Sequence, residues 1–216
     1  YRRVSRGIRH MVRDELDEAA ALFSSVARSW LVPKQMRALA WQNLGAVAVR
    51  RGDFEAALGL QQRARALFGR IWRKPVFAHM ADLSVVHTMI ELDQLGAAEA
   101  LLAEVRPRVP DGEYVQMQMW SAELYLAFAS DEHGFSDDEL HRRGRKALQI
   151  TSAVGLLLLL SWAYWKSEDR DQAGHLMGQA FDRKDGLSLV ETTMPRLWQW
   201  VSEHRELSTA LEDVLD

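Results

Sequence analysis

Cysteine is missing from all 216 residues of the chain, and proline occurs only 5 times. Without cysteine there can be no disulfide scaffold, no thiolate zinc site and no cysteine nucleophile. Five prolines and 13 glycines are few for a chain of many short strands joined by turns. The helix formers Ala, Leu, Arg, Glu and Gln dominate instead, and the 48% hydrophobic content excludes a disordered chain. We therefore expect an all-α fold.

Long hydrophobic runs are also missing. The longest apolar stretch covers residues 153–165, which is short of the roughly 20 residues that a membrane-spanning helix needs. We interpret it as a buried helix. Residues 1–13 are rich in arginine and lack the apolar core of a signal peptide. The sequence therefore predicts no membrane association and a cytoplasmic location.

The net charge is small, at −3, but its two signs are separated along the chain. Residues 1–75 hold 15 Lys/Arg and 6 Asp/Glu, whereas residues 76–216 hold 12 and 24. The aromatic residues do not interleave with the basic ones, which argues against nucleic-acid binding. The separation allows a head-to-tail homo-oligomer, with arginine-rich surfaces that merely favour solubility as the alternative.

Catalytic and metal-binding motifs are absent from the sequence. No two of the seven histidines have the three- or four-residue spacing that places both on one helix face for a metal, and neither HExxH nor GxSxG occurs. Gly155 is followed by five leucines, which form no phosphate-binding loop. His133, Asp137, Asp138 and His141 cluster at a predicted helix start, where acidic residues favour the helix dipole. We therefore expect no enzymatic activity, no metal and no cofactor.

Residues 38–71 contain two helical stretches of apolar periodicity separated by a turn at Gly52. Gly52 permits a tight turn, and Asp53 is a candidate N-cap for the second helix. Gly45 and Ala57 lie where the two helices would press together, because small side chains allow helix axes to approach closely.

This unit resembles the tetratricopeptide repeat, a 34-residue helix-turn-helix unit. Counted from Ala38, the residues at positions 4, 7, 8, 15, 20 and 27 match the repeat pattern: Trp41, Leu44, Gly45, Gly52, Ala57 and Ala64. The pattern is not followed at Ala48, Gln61 and Gly69, where the family has two aromatic residues and a proline.

Weaker copies extend the resemblance over nearly the whole chain. The predicted units are 1–33, 38–71, 79–112, 114–150, 154–187 and 191–216, with starts about 36–41 residues apart. The resemblance implies a single right-handed α-solenoid over residues 1–216, with five to six units whose first helices line a concave groove. Unit length also resembles that of repeats in regulatory segments of bacterial signalling proteins, including transcription activators of the maltose-regulator type.

The family pattern implies which residues face the groove, namely positions 2, 5, 9 and 12 of each first helix. The predicted partner-binding residues at or beside these positions are Gln42, Asn43, Val49, Arg50, Met80, Leu83, His87, Leu158, Trp162 and Trp165. Only Asn43 matches the Lys, Asn and Arg set with which some members clamp a terminal carboxylate, so we expect no such clamp. A largely apolar groove favours a peptide or helical segment as ligand. In the alternative, a tight superhelix or an end helix fills the groove and these residues are core.

Together these features predict a non-catalytic interaction module, a scaffold or adaptor that binds a protein or peptide partner. The second hypothesis is a regulatory or sensor segment of a larger bacterial signalling protein, either a transcription activator or a kinase, that responds to a peptide or small effector. A helical enzyme is the third.

Overall fold

The computed structural model describes residues 2–71, 76–132, 134–150 and 153–209, and these residues form helices joined by turns, with no strand among them. The all-α prediction is confirmed. Within these ranges no helix is both long enough and apolar enough to cross a membrane. The chain divides into two compact units, Tyr1–Val109 (unit 1) and Pro110–Asp216 (unit 2). The prediction of one continuous superhelical domain stays a prediction.

Unit 1 is a series of helix pairs. Its helices are α1 (Arg2–Val12), α2 (Leu16–Ala27), α3 (Lys34–Arg50), α4 (Phe54–Gly69), α5 (Val76–Glu91) and α6 (Leu95–Val105), followed by a short 3-10 turn (Arg106–Arg108). Each helix packs on the next one in sequence, and α3 also contacts the first helices of the neighbouring pairs, α1 and α5. Phe23 of α2 and Phe68 of α4 are buried in the two core clusters that this packing forms.

A recurring turn joins the two helices of each pair, here and in unit 2. One residue in each turn has the left-handed backbone conformation, with φ between 56° and 73°: Asp14, Gly52, Asp93, Asp131 and Glu168. The residue after it donates its N–H to the carbonyl five residues back, at 2.9–3.0 Å in all five turns. This arrangement satisfies carbonyls at the end of the first helix. The turn residues are 37–41 residues apart, the spacing that the sequence predicted.

The second helices share one buried register. The fifth residue after the turn residue is alanine in four of the five pairs, and each of these alanines is fully buried: Ala19, Ala57, Ala98 and Ala173. The close approach predicted at Gly45 is present, because a Cβ there would lie 2.5 Å from Gln61 Cγ and 3.4 Å from Ala57 O. Asp53 caps α4 by accepting the N–H of Ala56 at 3.0 Å, as predicted.

Unit 2 is organised around one helix. Its helices are α7 (Glu113–Ser130), α8 (Asp137–Ile150), α9 (Val154–Lys166), α10 (Arg170–Phe181), α11 (Lys184–Thr193), α12 (Pro195–Glu203) and α13 (Glu206–Thr209). α9 contacts α7, α8, α10, α11 and α12, and its residues from Leu156 to Tyr164 are all buried. The apolar run is therefore a buried helix, as predicted, because a helix surrounded by neighbours has no polar face.

The last predicted unit differs from the structure. Its start, near Glu191, falls inside α11, which begins at Lys184 and ends at Thr193. Pro195 occupies the first position of α12, where its missing N–H removes no helical hydrogen bond. The boundary between α11 and α12 therefore falls inside the unit predicted over residues 191–216. Ala210, which was counted in this unit, lies outside the described residues.

Candidate partner-binding surface

The five left-handed turn residues fix the register of the first helices. Positions 2, 5, 9 and 12 of the repeat lie 13, 10, 6 and 3 residues before the turn residue, and we call these the inner positions. The register agrees with that used for the sequence predictions in α3, α5 and α9. It also assigns α7, which the sequence left without a register. Its inner positions are Gln118, Ser121, Tyr125 and Phe128.

Several inner positions of unit 1 keep some exposed surface. Ile8, six residues before its turn residue, is 38% exposed. Ala46 and His87 occupy the equivalent positions of α3 and α5 and are half-buried, as are Gln42, Val49 and Met80. Leu83 is buried, so it belongs to the core and not to a binding surface. These inner positions are apolar, except for Gln42 and His87.

Two of the predicted partner-binding residues in unit 1 already have structural roles. Asn43 Nδ2 donates to the Leu39 carbonyl oxygen at 2.7 Å, within its own helix. Arg50 donates to the Met11 carbonyl oxygen and forms an ion pair with Asp14 Oδ1 at 3.0 Å. Arg50 therefore ties the end of α3 to the turn of the preceding helix pair.

Unit 2 contains an equivalent tie. Lys166 Nζ lies 2.6 Å from Asp131 Oδ1. Arg50 and Lys166 both stand two residues before their own turn residue, and each pairs with the turn residue of the preceding helix pair. An aspartate in the turn thus does two things: it tolerates the left-handed conformation and it anchors the next first helix.

His87 and Gln42 carry the polar groups of the inner positions in unit 1. Burial lowers the pKa of His87 to about 4, so its imidazole is neutral at physiological pH. The Oε1 atom of Gln42 is buried and accepts no hydrogen bond from the residues that the structure describes.

The inner positions of unit 2 are covered in part: three of the eight are buried and five are half-buried. Leu158 and Trp162, both predicted to bind a partner, are buried, with Trp162 only 1% exposed. Phe128 packs edge-on against Trp162, with ring centroids 5.4 Å apart. Both predictions are therefore corrected: these side chains are core, because neighbouring helices enclose α9.

α12 supplies part of this cover. Trp200 of α12 packs edge-on against Phe128 and Trp165, at centroid distances of 6.5 and 6.0 Å. Phe128 and Trp165 are equivalent inner positions of α7 and α9, so Trp200 spans two first helices. Trp165 stays half-buried, with the Arg170 guanidinium 4.8 Å from its ring centroid. This is the end-helix arrangement that the sequence analysis held as an alternative.

Phe128 and Trp200 were missed at the sequence level. The long linker between α7 and α8 hid the register of α7, and no sequence pattern placed α12 on α9. Asp131 was the available signal, because an aspartate just past a helix end can take the left-handed position that Gly52 takes.

The acidic and histidine residues at the start of α8 form no metal site within the described ranges. Asp137 and Asp138 occupy the first turn of α8, as the dipole interpretation expected. His141 Nδ1 lies 2.9 Å from the Asp137 carbonyl oxygen, and its ring packs on Tyr164. His133 lies outside the described residues.

Comparison with known proteins adds no relative to this description. No protein-family model matches the sequence, and no curated protein matches it significantly.

Proposed function

We propose that this protein is a non-catalytic interaction module, a tetratricopeptide-like helical repeat that binds a peptide or helical segment of a partner protein. The recurring left-handed turn at 37–41-residue spacing supports the repeat assignment. The order of packing in unit 1 also supports it, because each helix contacts the next one in sequence and α3 contacts both α1 and α5. A right-handed solenoid is the arrangement we propose for these pairs.

The binding surface that we propose is the set of inner positions of unit 1, on α1, α3 and α5. One observation carries this choice. Six residues before the turn residue, Ile8, Ala46 and His87 of unit 1 retain exposed surface, whereas Tyr125 and Trp162 of unit 2 are buried. Ile8, Val49 and Met80 offer apolar contact, and methionine adapts to varied ligand shapes.

Site-specific crosslinking in native lysate tests the proposal. A photoreactive phenylalanine analogue replaces Ile8 or Ala46 in the full chain, and Leu189 serves as the control position. Leu189 is 44% exposed in unit 2 and is not an inner position, so it matches Ile8 in accessibility.

We expect the same partner to be crosslinked from positions 8 and 46, not from 189, with excess unlabelled protein competing the product away. Crosslinking of the same proteins from all three positions would show that the contact is nonspecific and would contradict the proposal.

A further inference from the structure

A row of arginines follows one face of α1 and ends at the residue just after the helix. Arg2, Arg6, Arg9 and Arg13 repeat at 4-3-4 spacing and are all exposed. At about 100° per residue they fall within an arc of about 60°, and the row is about 16 Å long. The row (Arg2, Arg6, Arg9 and Arg13) lies about 130° around the helix from Ile8, so it is a different surface from the inner positions.

These arginines have no carboxylate neighbour on their own helix. α1 contains no acidic residue, and none of the four arginines forms an ion pair or side-chain hydrogen bond within the described part of the chain. Like charges at three- and four-residue spacing repel, and Arg2 at the N-terminus of α1 opposes the helix dipole. An anionic partner would relieve both effects.

An apolar pocket of about 350 Å³ opens beside the N-terminal end of α1. Arg2 and Arg3 form part of its rim, and Val26, Val32 and Met36 provide its apolar lining. Its remaining wall includes Ser29, next in sequence to Trp30 and Leu31. Trp30 is 83% exposed and Leu31 is 73% exposed, which is unusual for two consecutive large apolar residues.

We propose that the arginine row and this pocket bind an acidic amphipathic helix of a protein partner. Carboxylates at the same 4-3-4 spacing would pair with the row, and an apolar side chain beside them would enter the pocket between Val26, Val32 and Met36. A single straight row at helical spacing fits the face of another helix. The pocket accommodates a side chain, for which a nucleic-acid backbone offers no equivalent.

The test uses a synthetic helical peptide with glutamates at 4-3-4 spacing flanked by leucines, and a scrambled peptide of the same composition. Binding to the full chain is measured by fluorescence anisotropy for the wild type, for Arg6→Glu/Arg9→Glu, and for Arg142→Glu/Arg145→Glu. The last pair is a matched control, because Arg142 and Arg145 are exposed on α8 at the same three-residue spacing.

We expect the Arg6/Arg9 variant to bind the ordered peptide at least about tenfold more weakly than the wild type and the control variant. Raising the salt concentration should weaken wild-type binding. The two substitutions act on the helix dipole in opposite senses, because Arg6 lies toward the N-terminus of α1 and Arg9 in its last turn. Circular dichroism melting verifies that both variants fold.

Four results would overturn the proposal. If the scrambled peptide bound as tightly as the ordered one, the spacing of the glutamates would not matter. If the Arg6/Arg9 and Arg142/Arg145 variants lost the same affinity, the effect would be one of overall charge. Binding to phosphatidylserine vesicles or duplex DNA through Arg6 and Arg9, without peptide binding, would assign the row to another class of partner. Self-association that the Arg6/Arg9 variant abolishes would assign the row to a second copy of the chain. None of these depends on crosslinking at Ile8 and Ala46.

Discussion

The two units have equivalent first helices, but the exposure of their inner positions differs. Six residues before the turn residue, unit 1 places Ile8, Ala46 and His87, all of which keep some exposed surface. At the same positions unit 2 places Tyr125 and Trp162, which are 0% and 1% exposed. The difference shows that a repeat position does not determine its role. What covers the position decides whether it is core or binding surface.

The covering element in unit 2 is local in sequence. α12 begins only 29 residues after α9 ends, and its Trp200 reaches inner positions of α7 and α9. The aromatic residues of unit 2 are therefore largely used in packing, because large rings bury much area against one another. Unit 1 has smaller or polar residues at these positions and no aromatic cluster of this kind among its described residues.

The largest expected effect is the difference in stability lost when equivalent inner positions of the two units are truncated to alanine. Trp162→Ala should destabilise the protein by about 3–5 kcal/mol, because it removes a fully buried indole from unit 2. Ile8→Ala at the equivalent position of unit 1 should cost less than about 1 kcal/mol. Urea denaturation followed by circular dichroism measures both. Similar losses in the two variants would mean that Ile8 is as enclosed as Trp162.

The second prediction concerns pH. His87 has a folded pKa of about 4 and an ordinary unfolded pKa near 6.5, so the unfolded state binds the proton first as the pH falls. The contribution of neutral His87 to the free energy of unfolding is fully present above pH 6.5. It is lost as the pH falls from about 6.5 to about 4, by up to about 3 kcal/mol.

The control for this prediction is His87→Gln, which cannot titrate. The difference in unfolding free energy between the wild type and this variant should change with pH across that window. A constant difference would show that His87 titrates equally in the folded and unfolded states.

The third prediction concerns Gln61 in the second helix of unit 1. Nine residues after the turn residue, the other second helices of this pattern have Phe23, Leu102 and Met177, whereas α4 has Gln61. Its Oε1 is buried without a hydrogen-bond partner in the described structure. Gln61→Met should therefore stabilise the protein by about 1 kcal/mol in thermal unfolding. Leu102→Met is the control and should give no gain, because that site is already apolar.

The smallest effect tests the turns. Glu168 is held at φ 65° and forms no ion pair among the described residues, so Glu168→Gly should stabilise by about 0.5–1 kcal/mol. Asp131→Gly should show no such gain, since it also removes the pairing with Lys166. Chemical denaturation of the two variants measures the difference. An equal gain in stability in both variants would show that the pairing of Asp131 with Lys166 does not stabilise the protein.

The sequence predicted the parts of this fold that depend on local chemistry. The turn at Gly52, the Asp53 cap and the buried helix after residue 153 follow from residue type and periodicity, and all are present. The inner positions of unit 2 could not be judged in this way. Leu158 and Trp162 have the right spacing for a groove, but their burial depends on how α7, α8, α10, α11 and α12 pack around α9. Such packing arises from contacts between different helices, which periodicity does not encode.

Thiol labelling tests the contrast between the units most directly, because the chain has no cysteine of its own. Single cysteines replace Ile8 and Ala46 in unit 1 and Leu158 in unit 2, and their reaction with a maleimide is timed in the folded protein. The cysteines at 8 and 46 should react at least about tenfold faster than the one at 158, because accessibility controls the rate when the thiols are otherwise alike. Equal rates, or faster reaction at 158, would contradict an accessible inner surface in unit 1 and a covered one in unit 2.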